Sequence, residues 1–375
     1  MIEIFKAKRI QTIITWVVAS LITLLVFFRY QTQFTELTDM DIYAEKYAHS
    51  QYVLGEGSPQ KIDDASLYIY AGFAYARGED PTTINFEHPP LTKYLLGLSY
   101  RLFHNSVVLN LPLFFISLLC VFYLTKTITQ NYWLGLTGMV IVGNLQILQE
   151  HVSQALMDFP QLTLTLLFFS VLFSKLKYKY LLTGLVLGGL LAIKYQIPMI
   201  FLYLFILLIW AVTEKKLKDW LLALPIMLGV YLINYLVYFM NGHDLIDFIK
   251  FEWFRFRWFT GDRTMPKFLI WQTLFTGSFK AWWAAETYLK EPSWSIFWPV
   301  SFVTHLFSLA FWQKFDKKIL TLVFYATATL IVFSVGSAAY ARYLLQLLPF
   351  WIIISIWFIQ RSYLTLGMFS AKNSA

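Results

Sequence analysis

Phe86-Glu87-His88-Pro89-Pro90-Leu91-Thr92-Lys93-Tyr94-Leu95 places two consecutive prolines between an acid–imidazole pair and a helix-like run. Proline fixes its own φ, biases the residue before it toward extended backbone and pre-sets the first turn of a following helix. A carboxylate and an imidazole are thereby held stiffly ahead of a helix that carries Leu91, Tyr94, Leu95, Leu98 and Leu102 on one side. Taken alone, the stretch is equally well a rigid turn with two solvated polar residues. Its surroundings decide between the two.

Upstream, Asp63 is an N-cap candidate for a helix running to about Arg77. Leu67, Tyr70, Ala71 and Ala74 form its apolar face, and Gly78 supplies the stop. Further upstream, Asp39 to Ala48 repeats Tyr43/Tyr47 and Ala44/Ala48 at i, i+4, which predicts a helix lying on a membrane surface with its acids at the N-terminus.

The need for a membrane comes from composition. Of 375 residues 58% are hydrophobic and 14% charged, against roughly 25% charged in soluble domains, and mean hydropathy is +0.56. Windows of about 19 residues place spans at 10–28, 107–125, 132–148, 160–174, 180–193, 197–213, 220–240, 295–313, 319–337 and 344–360. The first run is long and lacks a small-residue cleavage site, so it reads as a retained span. One cysteine, Cys120, rules out an intrachain disulfide or a cysteine metal site. The pI near 9.2 is not a nucleic-acid signal, because the basic residues fall between spans. Lys6, Lys8, Arg9, Lys126, Lys175, Lys177, Lys179, Lys215, Lys216, Lys218, Lys314, Lys317, Lys318, Arg361 and Lys372 lie on one side, which the positive-inside rule makes cytoplasmic. Loops 29–106 and 241–294 then face outward. All of the 22 acids except Glu3, Glu214, Asp219 and Asp316 also lie outside. Acids contribute little to orientation, so this gathering points to chemistry on the outer face.

In that order and on that side, four motifs resemble the GT-C class of membrane glycosyltransferases, in the family of the protein O-mannosyltransferases and lipid A aminoarabinose transferases. They are Asp39-x-x-x-Tyr43-Ala44-Glu45, with Met40 where the family has a second acid; Phe86-Glu87-His88-Pro89-Pro90-Leu91-x-Lys93; Ala155-Leu156-Met157-Asp158-Phe159-Pro160; and Ala341-Arg342-Tyr343-Leu344-Leu345-x-Leu347-Leu348-Pro349. The likeness is good over roughly the first 200 residues and rests beyond them on hydropathy and the last motif. It implies an all-α polytopic membrane protein of about ten transmembrane helices with a helical first outer loop. Residues 1–213 would form the catalytic transmembrane module and 214–375 a second one bearing the loop 241–294, with no separate soluble domain. It also implies a multi-pass plasma-membrane location, with the N-terminus cytoplasmic and the active site extracytoplasmic. The activity implied is transfer of a hexose or modified pentose from a polyprenyl-phosphate donor to an acceptor hydroxyl on a protein, lipid or glycan, with inversion.

Such a displacement needs a carboxylate to take the acceptor proton. The resemblance puts Asp39 there, and Asp41 is the neighbouring alternative; both could equally cap an interfacial helix. Asp158 is the second outer acid, and it is also a natural cap ahead of Pro160. A departing lipid phosphate calls for a cation. Lys194 and Arg342, the only basic residues in tight outer connections, and Lys93 are candidates, with snorkelling to headgroups as the plain alternative. Glu87 and His88 are expected to bind substrate. Together with Glu150, His151 and Asp158 they could offer ligands to a divalent cation, although no recognised metal spacing is present.

In the second loop, Phe251-Glu252-Trp253-Phe254-Arg255-Phe256-Arg257-Trp258-Phe259, Trp282-Trp283 and Trp294 to Trp298 read as interfacial anchors among membrane lipids. The competing class is a multi-span transporter or lipid-linked-sugar flippase. It would place charges or paired broken helices at mid-membrane, where this chain shows only Asn144, Asn234 and His305.

Overall fold

A computed structural model describes residues 2–261, 266–280, 287–336 and 340–373, and the side chains among these except 2–8, 56 and 366–373. Trp282-Trp283 and the side chains of Lys6, Lys8 and Lys372 lie outside the described residues. The described chain is helical apart from one two-stranded antiparallel sheet, Ser278–Lys280 with Tyr288–Lys290.

A helix stands at each of the ten positions expected from hydropathy. Arg9–Arg29, Asn110–Thr129 and Lys317–Val335 are long and apolar enough to cross a membrane; Tyr132–Gly143, Asp158–Leu172, Lys179–Ile193 and Ile197–Thr213 are apolar but shorter. Several expected spans break early. The run at 132–148 divides into Tyr132–Gly143 and Gln146–Val152, and that at 220–240 into Leu217–Ile233 and Leu236–Met240. The physical reason is the same in both: Asn144 Nδ2 donates to the Val140 carbonyl at 2.8 Å and Asn234 Nδ2 to the Val230 carbonyl at 2.7 Å, the local competition by which asparagine ends helices. The run at 295–313 is α-helical only over Phe297–Ser308 and continues as the 3-10 segment Leu309–Lys314.

The chain divides into two compact units. One comprises Met1–Leu24, Phe115–Gln149 and Met265–Ala375. Its core is aromatic: Trp351 packs on Phe302 at 5.3 Å and Phe350 on Tyr325 at 4.8 Å, and Gln360 Nε2 caps the Thr129 carbonyl at 3.0 Å.

The other unit comprises Leu25–Phe114 and Glu150–Thr264. Here small residues let backbones approach. A methyl group at Gly184 would come within 2.7 Å of the Ala223 carbonyl oxygen, bringing Lys179–Ile193 close against Leu217–Ile233. The expected loop helices are present as Met40–Ala48, Asp64–Ala76 and Leu91–Phe103. Asp63 accepts the Ser66 amide at 2.9 Å as the N-cap, and Gly78 sits at φ 93° just past the C-terminus. The last two helices cross where Gly72 faces Gly97, and a methyl group on Gly97 would overlap the Gly72 carbonyl. Gly97→Ala is therefore expected to destabilise this unit by about 1–3 kcal/mol, seen as a lowered midpoint on thermal unfolding in detergent.

Candidate functional site

The turn that leads into Leu91–Phe103 is built from inside. Tyr75, buried on Asp64–Ala76, donates its hydroxyl to the Pro81 carbonyl at 2.8 Å and accepts the Asn85 amide at 3.2 Å. Lys93 is fully buried, and its Nζ donates to the carbonyls of His88 at 2.6 Å and Asn85 at 3.0 Å beside the rings of Tyr68 and Tyr75. Burial, followed by the charge of Arg255, pulls the Lys93 ammonium well below the usual lysine range, with Glu87 opposing. The one lysine of the Pro-Pro motif thus faces main-chain carbonyls.

Glu87 and His88 are half-buried. Glu87 accepts the hydroxyl of Tyr52 at 3.0 Å. His88 Nδ1 receives the Tyr195 amide at 3.4 Å, and its ring stacks on Phe259 at 5.4 Å. Because a backbone amide can only donate, this contact leaves the His88 proton on Nε2.

Tyr195 belongs to the connector between Lys179–Ile193 and Ile197–Thr213. On one side of it Lys194 Nζ meets Asp158 Oδ1 at 2.6 Å, with side chains 6% and 3% exposed. On the other side Gln196 accepts Gln161 Nε2 at 2.7 Å. The turn, Lys194 and Asp158, read separately in sequence, are brought into one neighbourhood. Within it Lys194 is an ion-pair partner of Asp158.

Asp39 is placed differently. Thr38 donates its amide to the His104 carbonyl at 2.9 Å, and Asn105 Nδ2 holds the carbonyls of Gln33 and Glu36 at 2.8 Å each. The acid is thereby tethered at the C-terminal end of Leu91–Phe103, whereas the Glu87-His88 turn precedes the N-terminal end. Asp39 caps Met40–Ala48 by accepting the Asp41 amide at 3.0 Å, and both acids are exposed.

No protein-family model matches the chain, and no curated protein does. Solved structures do. The crystal structure of ArnT from Cupriavidus metallidurans bound to undecaprenyl phosphate superposes with TM-score 0.56 at 15% identity over 92% of this chain; the apo ArnT structure does so with TM-score 0.56 at 16% identity over 94%. The chain has the ArnT fold. It spans about three-fifths of the ArnT chains, 60% and 62% of their lengths.

Within this ArnT fold, the described residues contain no group of three His, Cys, Asp or Glu side chains arranged to hold a metal ion. Glu87, His88, Glu150, His151 and Asp158 do not converge into one. Arg342 lies in the other unit, on the 3-10 segment Ala341–Gln346, with its guanidinium 4.9 Å from the Tyr340 ring centre.

Arg255 was hidden inside the aromatic–basic run. On Leu245–Thr260 the faces divide: Trp253, Phe254, Phe256 and Phe259 are exposed, while Arg255 is fully buried. The signal lay in Glu252 and Arg255, spaced i, i+3 as an ion pair at 3.1 Å. Tyr52 and Tyr195, which touch Glu87 and His88, carried no motif signal at all.

Proposed function

We propose that the chain is an integral-membrane glycosyltransferase that moves a sugar from a polyprenyl-phosphate carrier to an acceptor hydroxyl on the extracytoplasmic face. The observation that carries this reading is the ArnT fold across 92% of the chain, in a relative crystallised with undecaprenyl phosphate. Exposed acids at the head of a short helix, and a stiffened acid–imidazole turn elsewhere in the same unit, fit such chemistry. The acceptor oxygen attacks the anomeric carbon opposite the phosphate, and its proton passes to Asp39 or Asp41. The bond from the anomeric carbon to the phosphate oxygen breaks as polyprenyl phosphate leaves with the electron pair, so configuration inverts. Glu87 and His88 contact the donor; Lys93 supports them from beneath through their main chain. Asp158 and Lys194 hold the connector that bears Tyr195. The sugar is a hexose or modified pentose, and the acceptor a protein, lipid or glycan.

The test uses purified protein in lipid, a panel of radiolabelled polyprenyl-phosphate sugars and a membrane-extract acceptor. The expected result is consumption of one donor, with label appearing in acceptor. Label that crosses the bilayer with no donor consumed would overturn the transferase reading in favour of a transporter or flippase.

A further inference from the structure

We propose that Arg255 is a positioning residue that, with Lys93, locks the Glu87-His88 turn by its backbone. The inference rests on the reading above that this turn meets the lipid-linked donor. Arg255 and Phe86 stand 169 positions apart, yet Arg255 Nε donates to the Phe86 carbonyl at 3.0 Å. The other two guanidinium nitrogens also bond to protein. Nη1 donates to the Tyr231 hydroxyl at 3.0 Å and meets Glu252 at 3.1 Å, and Nη2 donates to the Tyr235 hydroxyl at 2.7 Å. The guanidinium carbon lies over the rings of Phe251 at 4.5 Å, Tyr195 at 5.3 Å and Tyr235 at 5.6 Å. Tyr231 in turn donates to Glu252 at 2.8 Å.

A fully buried guanidinium is tolerable only when its charge is compensated and its donors are satisfied. Here each of its three nitrogens has a protein partner. What the network delivers is geometry. The carbonyls of Asn85 and His88 point at Lys93 and that of Phe86 at Arg255, so the directions of three peptide planes around Glu87 are set by two buried side-chain donors. The same helix grips the flanking side chains. Phe254 and Trp258 pack on Phe86 at 5.3 and 5.2 Å, and Phe259 stacks on His88 at 5.4 Å. With the planes fixed, the exit directions of the Glu87 and His88 side chains are fixed, and preorganisation of that kind is where binding and rate are gained.

The experiment compares the 375-residue chain with Arg255→Lys, Arg255→Met and Tyr235→Phe in lipid, by two readouts. The first is amide hydrogen exchange over residues 84–90, with Asp64–Ala76 as internal reference. The second is steady-state transfer with donor and acceptor varied separately. In Arg255→Lys, exchange of the turn is expected to rise about tenfold while the reference helix is unchanged. kcat/KM for the donor should fall about ten- to a hundredfold with the acceptor KM unmoved, because an ammonium cannot reproduce a fork that bonds at three nitrogens. Tyr235→Phe removes one oxygen only, keeps the test open should the arginine variants fail to fold, and should shift both readouts the same way by less. Unchanged exchange in the turn overturns the proposal; so does a loosened turn with unaltered donor kinetics, or equal losses for donor and acceptor. A wild type that consumes no donor overturns the transfer reading, and exchange alone then decides whether Arg255 holds the turn.

Discussion

Asp39→Asn is expected to leave the fold intact and lower sugar transfer about 10²- to 10⁴-fold, the span that positioned general bases contribute. The substitution is clean because the acid also caps Met40–Ala48 through the Asp41 amide at 3.0 Å. Asparagine caps helices as well as aspartate does, so only the capacity to take a proton is lost. The measurement is initial rate of transfer beside thermal unfolding in detergent. An unchanged midpoint with a collapsed rate assigns the base; Asp41→Asn, made in parallel, identifies which of the two acids does the work. If neither substitution lowers the rate, the proton goes to another group, and the role suggested by family resemblance is wrong for both.

The second large effect is on stability. Lys194→Met is expected to cost about 3–5 kcal/mol, the usual penalty for removing one partner of a buried ion pair, because Asp158 lies 2.6 Å from Nζ with 3% of its side chain exposed. The position of Asp158 in the first turn of Asp158–Leu172 offers partial compensation from the helix dipole. The double variant Asp158→Asn with Lys194→Met should recover most of the loss, since no unpaired charge is left behind. Thermal and SDS-induced unfolding of the three variants forms the cycle. If Lys194→Met unfolds like the wild type, the pair does not hold in the membrane, and the phosphate-binding role that the sequence position of Lys194 suggests takes its place.

Both expectations set a residue's sequence appearance against its surroundings, and the divide between the two is physical. Hydropathy, caps and prolines act within a few residues. For that reason Asp63, Gly78 and Pro89-Pro90 announced the helices Asp64–Ala76 and Leu91–Phe103, and a helix stands wherever an apolar run predicted one. Where local rules compete, length was harder to judge: Asn144 and Asn234 turn their side chains onto their own backbone and shorten runs that hydropathy had joined.

The fate of each charge was not local. A lysine or arginine near an apolar run looks the same in sequence whether it faces a phosphate, a headgroup or a carbonyl. Lys93, Lys194 and Arg255 were separated by packing alone: the first onto the carbonyls of Asn85 and His88, the second onto Asp158, the third onto Phe86 and two tyrosines. By itself, then, the sequence determined a predominantly helical, apolar chain with an acid-bearing first loop and a proline-stiffened turn, because backbone preference and hydrophobic periodicity are written residue by residue; the short pair of strands Ser278–Lys280 and Tyr288–Lys290 carried no such pattern. Only the tertiary structure decided which basic side chains are spent inside the protein, because burial and pairing depend on segments up to 169 positions away that no local pattern connects.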